Sequence, residues 1–262
     1  MKISIHSDRL DLHVAGSLYV AAMQTEHELV KPEKADLVIN VDSIHNTGLK
    51  RGKKTVYWEL DDNLHRGQNK QFYDVDQLYI VSKSRLDLYP EGTKVLPVAA
   101  EPTIHYKWPF DEIYDIVFIG SENHAQYTYR KEVLDNLQYH FHMLRGTCEP
   151  QNYPKELSKG KILLNVFPKV MGDEPLIVTR FFESMAIGCL LQDYHLSLDE
   201  FAVEGRDYIG FYDVQDAIEK ARYLLNNPQE RIRIANNGRA NILKHHTWKH
   251  RLEQIIEGVS KN

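Results

Sequence analysis

The chain has 262 residues, 42% of them hydrophobic and 26% charged, with a formal net charge of −5. That length holds one large domain or two small ones, with enough apolar surface for real cores. The negative balance excludes a globally basic surface of the kind that grips nucleic acid, though not a local basic patch.

The start, Met1-Lys2-Ile3-Ser4-Ile5-His6, lacks the apolar stretch of a secretory signal. No apolar run approaches the roughly 18 residues of a membrane span. The longest, Ile113–Ile119 and Ile162–Phe167, are strand-sized. Cys148 and Cys189 are the only cysteines and have no metal-ligand spacing. The expectation is a soluble protein of a reducing compartment, the cytoplasm, with no metal site.

Short β-branched runs alternate with longer amphipathic stretches, the pattern of parallel sheets covered by helices. In the first half the expected strands are Lys2–His6, Asp36–Val41, Thr55–Glu59, Gln77–Ser82 and Thr93–Pro97, with one clear helix over Ser17–Leu29. The stretch between Ala99 and Ile113 carries two prolines and no periodicity, and reads as a linker. A second series follows. Its strands are Asp115–Gly120, Tyr139–Leu144, Lys161–Phe167, Cys189–Gln192 and Tyr208–Phe211. Its helices are Tyr129–Leu137, Tyr153–Ser158 and Thr179–Ile187, the last closed by Gly188 in the left-handed conformation that glycine accepts at a helix end. Val214, Ala217, Ile218, Ala221, Leu224 and Leu225 follow helical spacing. A further helix begins near Pro228, and Thr247 caps a last one carrying Trp248, Leu252, Ile255 and Ile256.

The segment from Gly172 to Leu191 carries the most chemistry. On a helix, Phe182, Met185 and Ala186 share a face that packs on the sheet. Arg180 and Glu183 neighbour each other near the helix start. A helix N-terminus favours phosphate, Arg180 supplies a bidentate donor for a diphosphate, and Glu183 accepts from ribose hydroxyls. The competing account is an ordinary amphipathic helix with an ion pair between those two residues.

Arg180-Phe181-Phe182-Glu183-Ser184-Met185-Ala186-Ile187-Gly188 resembles the Arg-x-Phe-Glu-x-x-Ala-x-Gly signature of glycosyltransferase family 1-like C-terminal domains, most of all their CgeB-like branch. Other segments resemble the family in order: Asp115-Ile116-Val117-Phe118-Ile119-Gly120-Ser121 with Arg130 after it, Lys161-Ile162-Leu163-Leu164-Asn165, and a tail of Arg231, Ala235, Gly238 and His246-Thr247-Trp248. The resemblance covers roughly residues 95–258. It implies an α/β, GT-B-like fold: two Rossmann-like domains facing across a cleft, with C-terminal helices packing back. Residues 1–100 would be the acceptor-side domain, 101–112 the linker and 113–262 the nucleotide-sugar-binding domain.

The implied activity is transfer of a sugar, hexosyl or pentosyl, from a nucleotide sugar to a hydroxyl acceptor on a glycan, protein, small molecule or modified DNA base. The donor, a UDP- or other NDP-sugar, is a co-substrate; no separate cofactor and no metal are expected. Carried over by position, Glu183 binds ribose and Arg180 the diphosphate, Gly120 and Ser121 face the donor phosphates, Arg130 matches a basic residue after that loop, Arg145 and Gly146 border the base, and Lys161 matches the family lysine. The retaining members pair two glutamates at a spacing one residue shorter than that of Glu174 and Glu183, so the anomeric outcome is not carried over.

In the first half, Tyr57-Trp58-Glu59-Leu60-Asp61-Asp62-Asn63 places carboxylates just after an expected strand. Asp62 and His65 are the candidates for a general base at the acceptor hydroxyl, against a plain solvated acidic turn. Gly16, at a helix start, either approaches the donor phosphates or belongs to an ordinary cap. His140 and His142 alternate on an expected strand without a third ligand, and His245-His246 suits a helix C-terminus. The cluster Lys50-Arg51-Gly52-Lys53-Lys54 is a solvated loop or a contact for an anionic acceptor. Three rival readings stand beside the transferase: an epimerase on the same fold, a non-catalytic nucleotide-sugar-binding module, and a viral-type DNA glycosyltransferase acting on hydroxylated bases.

Overall fold

A computed structural model describes residues 1–8, 14–42, 48–60, 70–122, 127–167, 175 and 177–260. Two units divide the chain: Met1–Glu101 with Thr247–Asn262, and Pro102–His246. No described helix is long and apolar enough to cross a membrane.

The first unit is built on six parallel strands in the order β2-β1-β3-β4-β5-β6. They are β1 (Lys2–His6), β2 (Glu28–Leu29), β3 (Leu37–Val41), β4 (Lys54–Glu59), β5 (Gln77–Ile80) and β6 (Lys94–Val95). Side chains alternate across β4: Tyr57 joins Phe72, Leu78, Ile80 and Tyr89 on one face, while Trp58 meets Trp248 edge-on at 5.6 Å. Trp248 opens α7 (Trp248–Ser260), which therefore belongs to this unit. The Thr247 hydroxyl accepts from the His250 N–H at 3.4 Å, as a cap does. Arg251 donates to the Pro97 carbonyl at 2.7 Å and the Val98 carbonyl at 3.3 Å.

The first helix, α1 (Val14–Met23), stops earlier than its composition suggests. Gln24 and Thr25 turn back onto the Ala21 and Ala22 carbonyls, and the Thr25 hydroxyl takes Ala22 as well. Glu28 and Leu29 then pair with Lys2 and Ile3 as an edge strand.

The second unit has five parallel strands in the order β11-β10-β9-β7-β8. They are β7 (Tyr114–Ile119), β8 (Met143–Gly146), β9 (Gly160–Asn165), β10 (Leu190–Asp193) and β11 (Ile209–Phe211). Its helices are α2 (Thr128–His140), α3 (Tyr153–Leu157), α4 (Thr179–Ile187), α5 (Val214–Asn226) and α6 (Pro228–His245). Both sheet faces are covered, which is why these strands read as continuous apolar runs. The chain leaves β7 for β8 on one side, then crosses back to β9 on the other. The order reverses between β7 and β9, and ligands of such sheets bind beyond the carboxyl ends of the strands at that point.

Two expectations are corrected here. Tyr139 and His140 lie in α2, not on a strand, because that helix continues past its buried Val133, Leu134 and Leu137; the His140/His142 alternation on one strand face disappears. Gly188 ends α4 at φ −168°, an extended conformation open to any residue, with Leu163 3.4 Å from where a Cβ would stand.

Gly238, by contrast, is required by packing. It lies on α6 against the Asp207 carbonyl, and a Cβ there would collide with that backbone oxygen. Gly238→Ala is expected to cost about 1–3 kcal/mol of stability, read from the urea midpoint. An unchanged midpoint would refute that contact.

Candidate functional site

Two arginines meet at the reversal between β7 and β9. Arg180, on the first turn of α4, donates from Nε to the Ile119 carbonyl at 3.0 Å and from Nη1 to Asn165 Oδ1 at 3.2 Å. Arg130, on α2, donates from Nε to the Val166 carbonyl at 3.0 Å and from Nη1 to the Ser121 carbonyl at 2.8 Å. Each guanidinium thus bridges the ends of β7 and β9. The Phe118 ring lies within cation–π range of both, 5.6 Å from Arg130 and 5.2 Å from Arg180.

Among the described residues no carboxylate forms an ion pair with either arginine. Burial and the like charge of Arg180 pull Arg130 down to about 10. Arg130 is buried beside its like charge, and the Glu122 charge and the Tyr127 ring offset that only in part. α4 begins beside the two arginines with no side-chain cap on its first N–H groups, which adds positive potential at the same place.

The arginines are held by a polar relay. Asn165 ends β9 fully buried. Its amide nitrogen donates to Gln192 Oε1 at 2.7 Å, and Gln192 donates to the Asp193 carbonyl at 2.7 Å. That chain leaves Asn165 Oδ1 to face Arg180. Asn165 closes the strand whose resemblance to the family was noted from the sequence, but no role had been assigned to it.

Gly120 admits Arg180 rather than offering an amide. Its N–H continues the ladder to the Gly146 carbonyl at 2.7 Å. A Cβ on it would lie 2.5 Å from Arg180 Nη2 and 3.1 Å from the Phe118 ring. Gly146 itself, at φ +137°, occupies backbone space that side chains avoid. Ser121 contributes its carbonyl to Arg130.

Glu183 lies one turn along α4 from Arg180, yet the two do not pair. Its Oε1 stands 3.4 Å from His105 Nε2. Burial and the Glu183 charge push the Tyr153 phenol above its usual range, with Arg180 acting in the opposite direction. Tyr153 and His105 therefore join the group, and neither had been anticipated.

Two of the other anticipated cations have carboxylate partners of their own. Arg145 pairs with Glu122 at 2.6 Å and Asp135 at 2.7 Å, which hold its pKa up against the opposing effect of burial. Lys161 meets Asp115 at 2.8 Å near the opposite ends of β7 and β9, away from the arginines. Gly16 is the third residue of α1, in the other unit. Asp62, His65 and Glu174 lie outside the described residues. In the cluster at Lys50–Lys54, Arg51 pairs with Asp74, Lys53 with Asp36 and Lys54 with Asp76, so much of its charge is matched within the chain. Among the described residues no three His, Cys, Asp or Glu side chains are grouped to hold a metal.

No curated protein sequence matches the chain. Among solved structures, an α-glucosyltransferase in complex with UDP and a 13-mer DNA containing an HMU base aligns over 99% of both chains at 10% identity, with a TM-score of 0.71. Anabaena HepE in complex with UDP and glucose aligns over 100% of this chain and 99% of its own at 9% identity, TM-score 0.65. S. aureus TarM, in complex with fondaparinux, α-GlcNAc-glycerol and UDP, aligns over 94% of this chain at 14% identity, TM-score 0.58, and this chain spans only 58% of its length. At these identities the likeness shows the fold, of GT-B type, as the resemblance implied. The model of a glycosyl transferase-like family matches residues 110–257, more than half the chain and the part that holds both arginines. The chain belongs to the glycosyl transferase-like family.

Proposed function

We infer that this glycosyltransferase takes a nucleoside diphosphate sugar as donor, with the diphosphate on Arg130 and Arg180 and the ribose on Glu183. The observation that carries the reading is the arginine pair at the strand reversal of the second unit, with no carboxylate ion-paired to either among the described residues. In transfer, negative charge builds on the departing diphosphate. Two guanidiniums held on fixed acceptors beside the start of α4 would meet that charge with little rearrangement, which is electrostatic stabilisation by preorganised groups. The relay through Asn165 and Gln192 keeps them in place. The same cations supply the charge that a metal ion would, so transfer is expected to proceed without one. A carboxylate or imidazole at Asp62 or His65 would remove the acceptor proton.

UDP is the nucleotide to try first, because several structural neighbours were solved with it. The sugar is a hexose in this reading, on the same analogy. The acceptor is a sugar or small-molecule hydroxyl. A hydroxylated DNA base is the second reading, favoured by the full-length match to the DNA-bound α-glucosyltransferase. Retention on duplex DNA that weakens steeply with salt would select it.

The test is thermal unfolding of the protein against uridine, guanosine, adenosine and cytidine diphosphates and their glucose conjugates. A nucleotide present at about 100 times its dissociation constant stabilises by about 2.7 kcal/mol. One nucleotide raising the midpoint supports the donor site. Indifference to all of them, and to inorganic pyrophosphate, would overturn it.

A further inference from the structure

His105 belongs to a stretch that composition alone reads as a linker, yet it is fixed at two points. Its carbonyl accepts from Arg239 Nη1 at 3.5 Å, and the same nitrogen donates to the Ala186 carbonyl near the end of α4. Its ring reaches Glu183 one turn earlier on that helix, Nε2 to Oε1 3.4 Å. The side chains are 5% and 15% exposed, so the contact is shielded from water.

A half-buried carboxylate with an imidazole 3.4 Å from one oxygen has fewer rotamers open to it. Its second oxygen is then presented in one direction.

We propose that His105 is a positioning residue: it clamps Glu183 Oε1 so that the free oxygen accepts from the vicinal ribose hydroxyls, and it thereby sets the preference of the site for ribonucleotides over deoxyribonucleotides. This rests on the donor reading above, in which Glu183 meets the ribose. Without the clamp, Glu183 must be ordered by the ligand at the moment of binding, and part of the ribose interaction is lost to that ordering. The diphosphate interaction is untouched, because Arg130 and Arg180 are held by other acceptors.

The experiment measures dissociation constants for UDP, its 2′,3′-dideoxy analogue and inorganic pyrophosphate on four proteins: the unaltered chain, Glu183→Ala, His105→Ala and His105→Gln. The unaltered chain prefers UDP to the dideoxy analogue, and Glu183→Ala abolishes that preference. His105→Ala reduces it about tenfold with pyrophosphate affinity unchanged. His105→Gln, which keeps a donor toward the carboxylate, recovers part of it and stands in if the alanine variant fails to fold. If Glu183→Ala leaves the preference intact, the ribose assignment itself fails and takes this proposal with it. If Glu183→Ala abolishes the preference while both His105 variants keep it in full, the donor reading survives and the clamp is wrong.

Discussion

Arg180→Ala is expected to weaken UDP binding about 100-fold while leaving the unfolding midpoint of the free protein nearly unchanged. A guanidinium bound to phosphate forms charge-assisted hydrogen bonds of about 1.5–3 kcal/mol each. Losing them removes about 3 kcal/mol, with Arg130 left as the remaining cation. Stability barely moves because two effects oppose. The bonds to Ile119 and Asn165 disappear, but so does the like charge that burdens Arg130. Gly120→Ala tests the same geometry without deleting the cation. The added methyl collides with the guanidinium where it is pinned, and displaces it. UDP affinity then falls about tenfold, since the charge remains but its aim is lost. Arg145→Ala and Lys161→Ala change affinity by less than about threefold, because Glu122, Asp135 and Asp115 already match those charges. UDP binding by Arg180→Ala as tight as that of the unaltered chain would remove the arginine from the site.

The contrast between Arg180 and Arg145 shows how far a sequence carries. The strands were legible because parallel strands covered on both faces must be apolar along their whole length. β1 and α4 fall where the patterns place them, and the reversal between β7 and β9 follows from their order. Arg180 and Glu183 were singled out by the resemblance of their segment to the family signature, and both lie on the opening turns of α4. Their partners were not legible. Whether a cation is neutralised depends on residues far away in the chain. Arg145 meets Glu122, while among the described residues no carboxylate forms an ion pair with Arg180 or Arg130. His105 was hidden for the same reason: an aperiodic, proline-bearing stretch gives no sign that its histidine will sit against Glu183, almost eighty residues on. Gly120 and Gly188 show the limit for glycine. A Cβ on Gly120 would crowd Arg180, whereas one on Gly188 would meet Leu163 at an ordinary contact distance, a difference that the residue name alone does not carry.

Trp248→Ala is expected to cost about 3–5 kcal/mol, the range for emptying a buried tryptophan site. That is a large share of the stability of an ordinary domain. The ring is 1% exposed and packs edge-on against Trp58, itself fully buried on β4 and donating to the Leu96 carbonyl at 3.1 Å. It also opens α7, whose Arg251 holds the Pro97 and Val98 carbonyls. Trp248→Phe is far milder. It keeps a ring against Trp58 and removes an indole N–H that is buried with no acceptor among the described residues. Hydrogen exchange locates the loss, because α7 is counted with the first unit and not with the helices that precede it. In Trp248→Ala the amides of β4 and β5 lose protection, while those of β7 and β9 keep theirs. Equal loss in both sheets would mean that α7 stabilises the second unit as much as the first, and the assignment of the last helix would have to be redrawn.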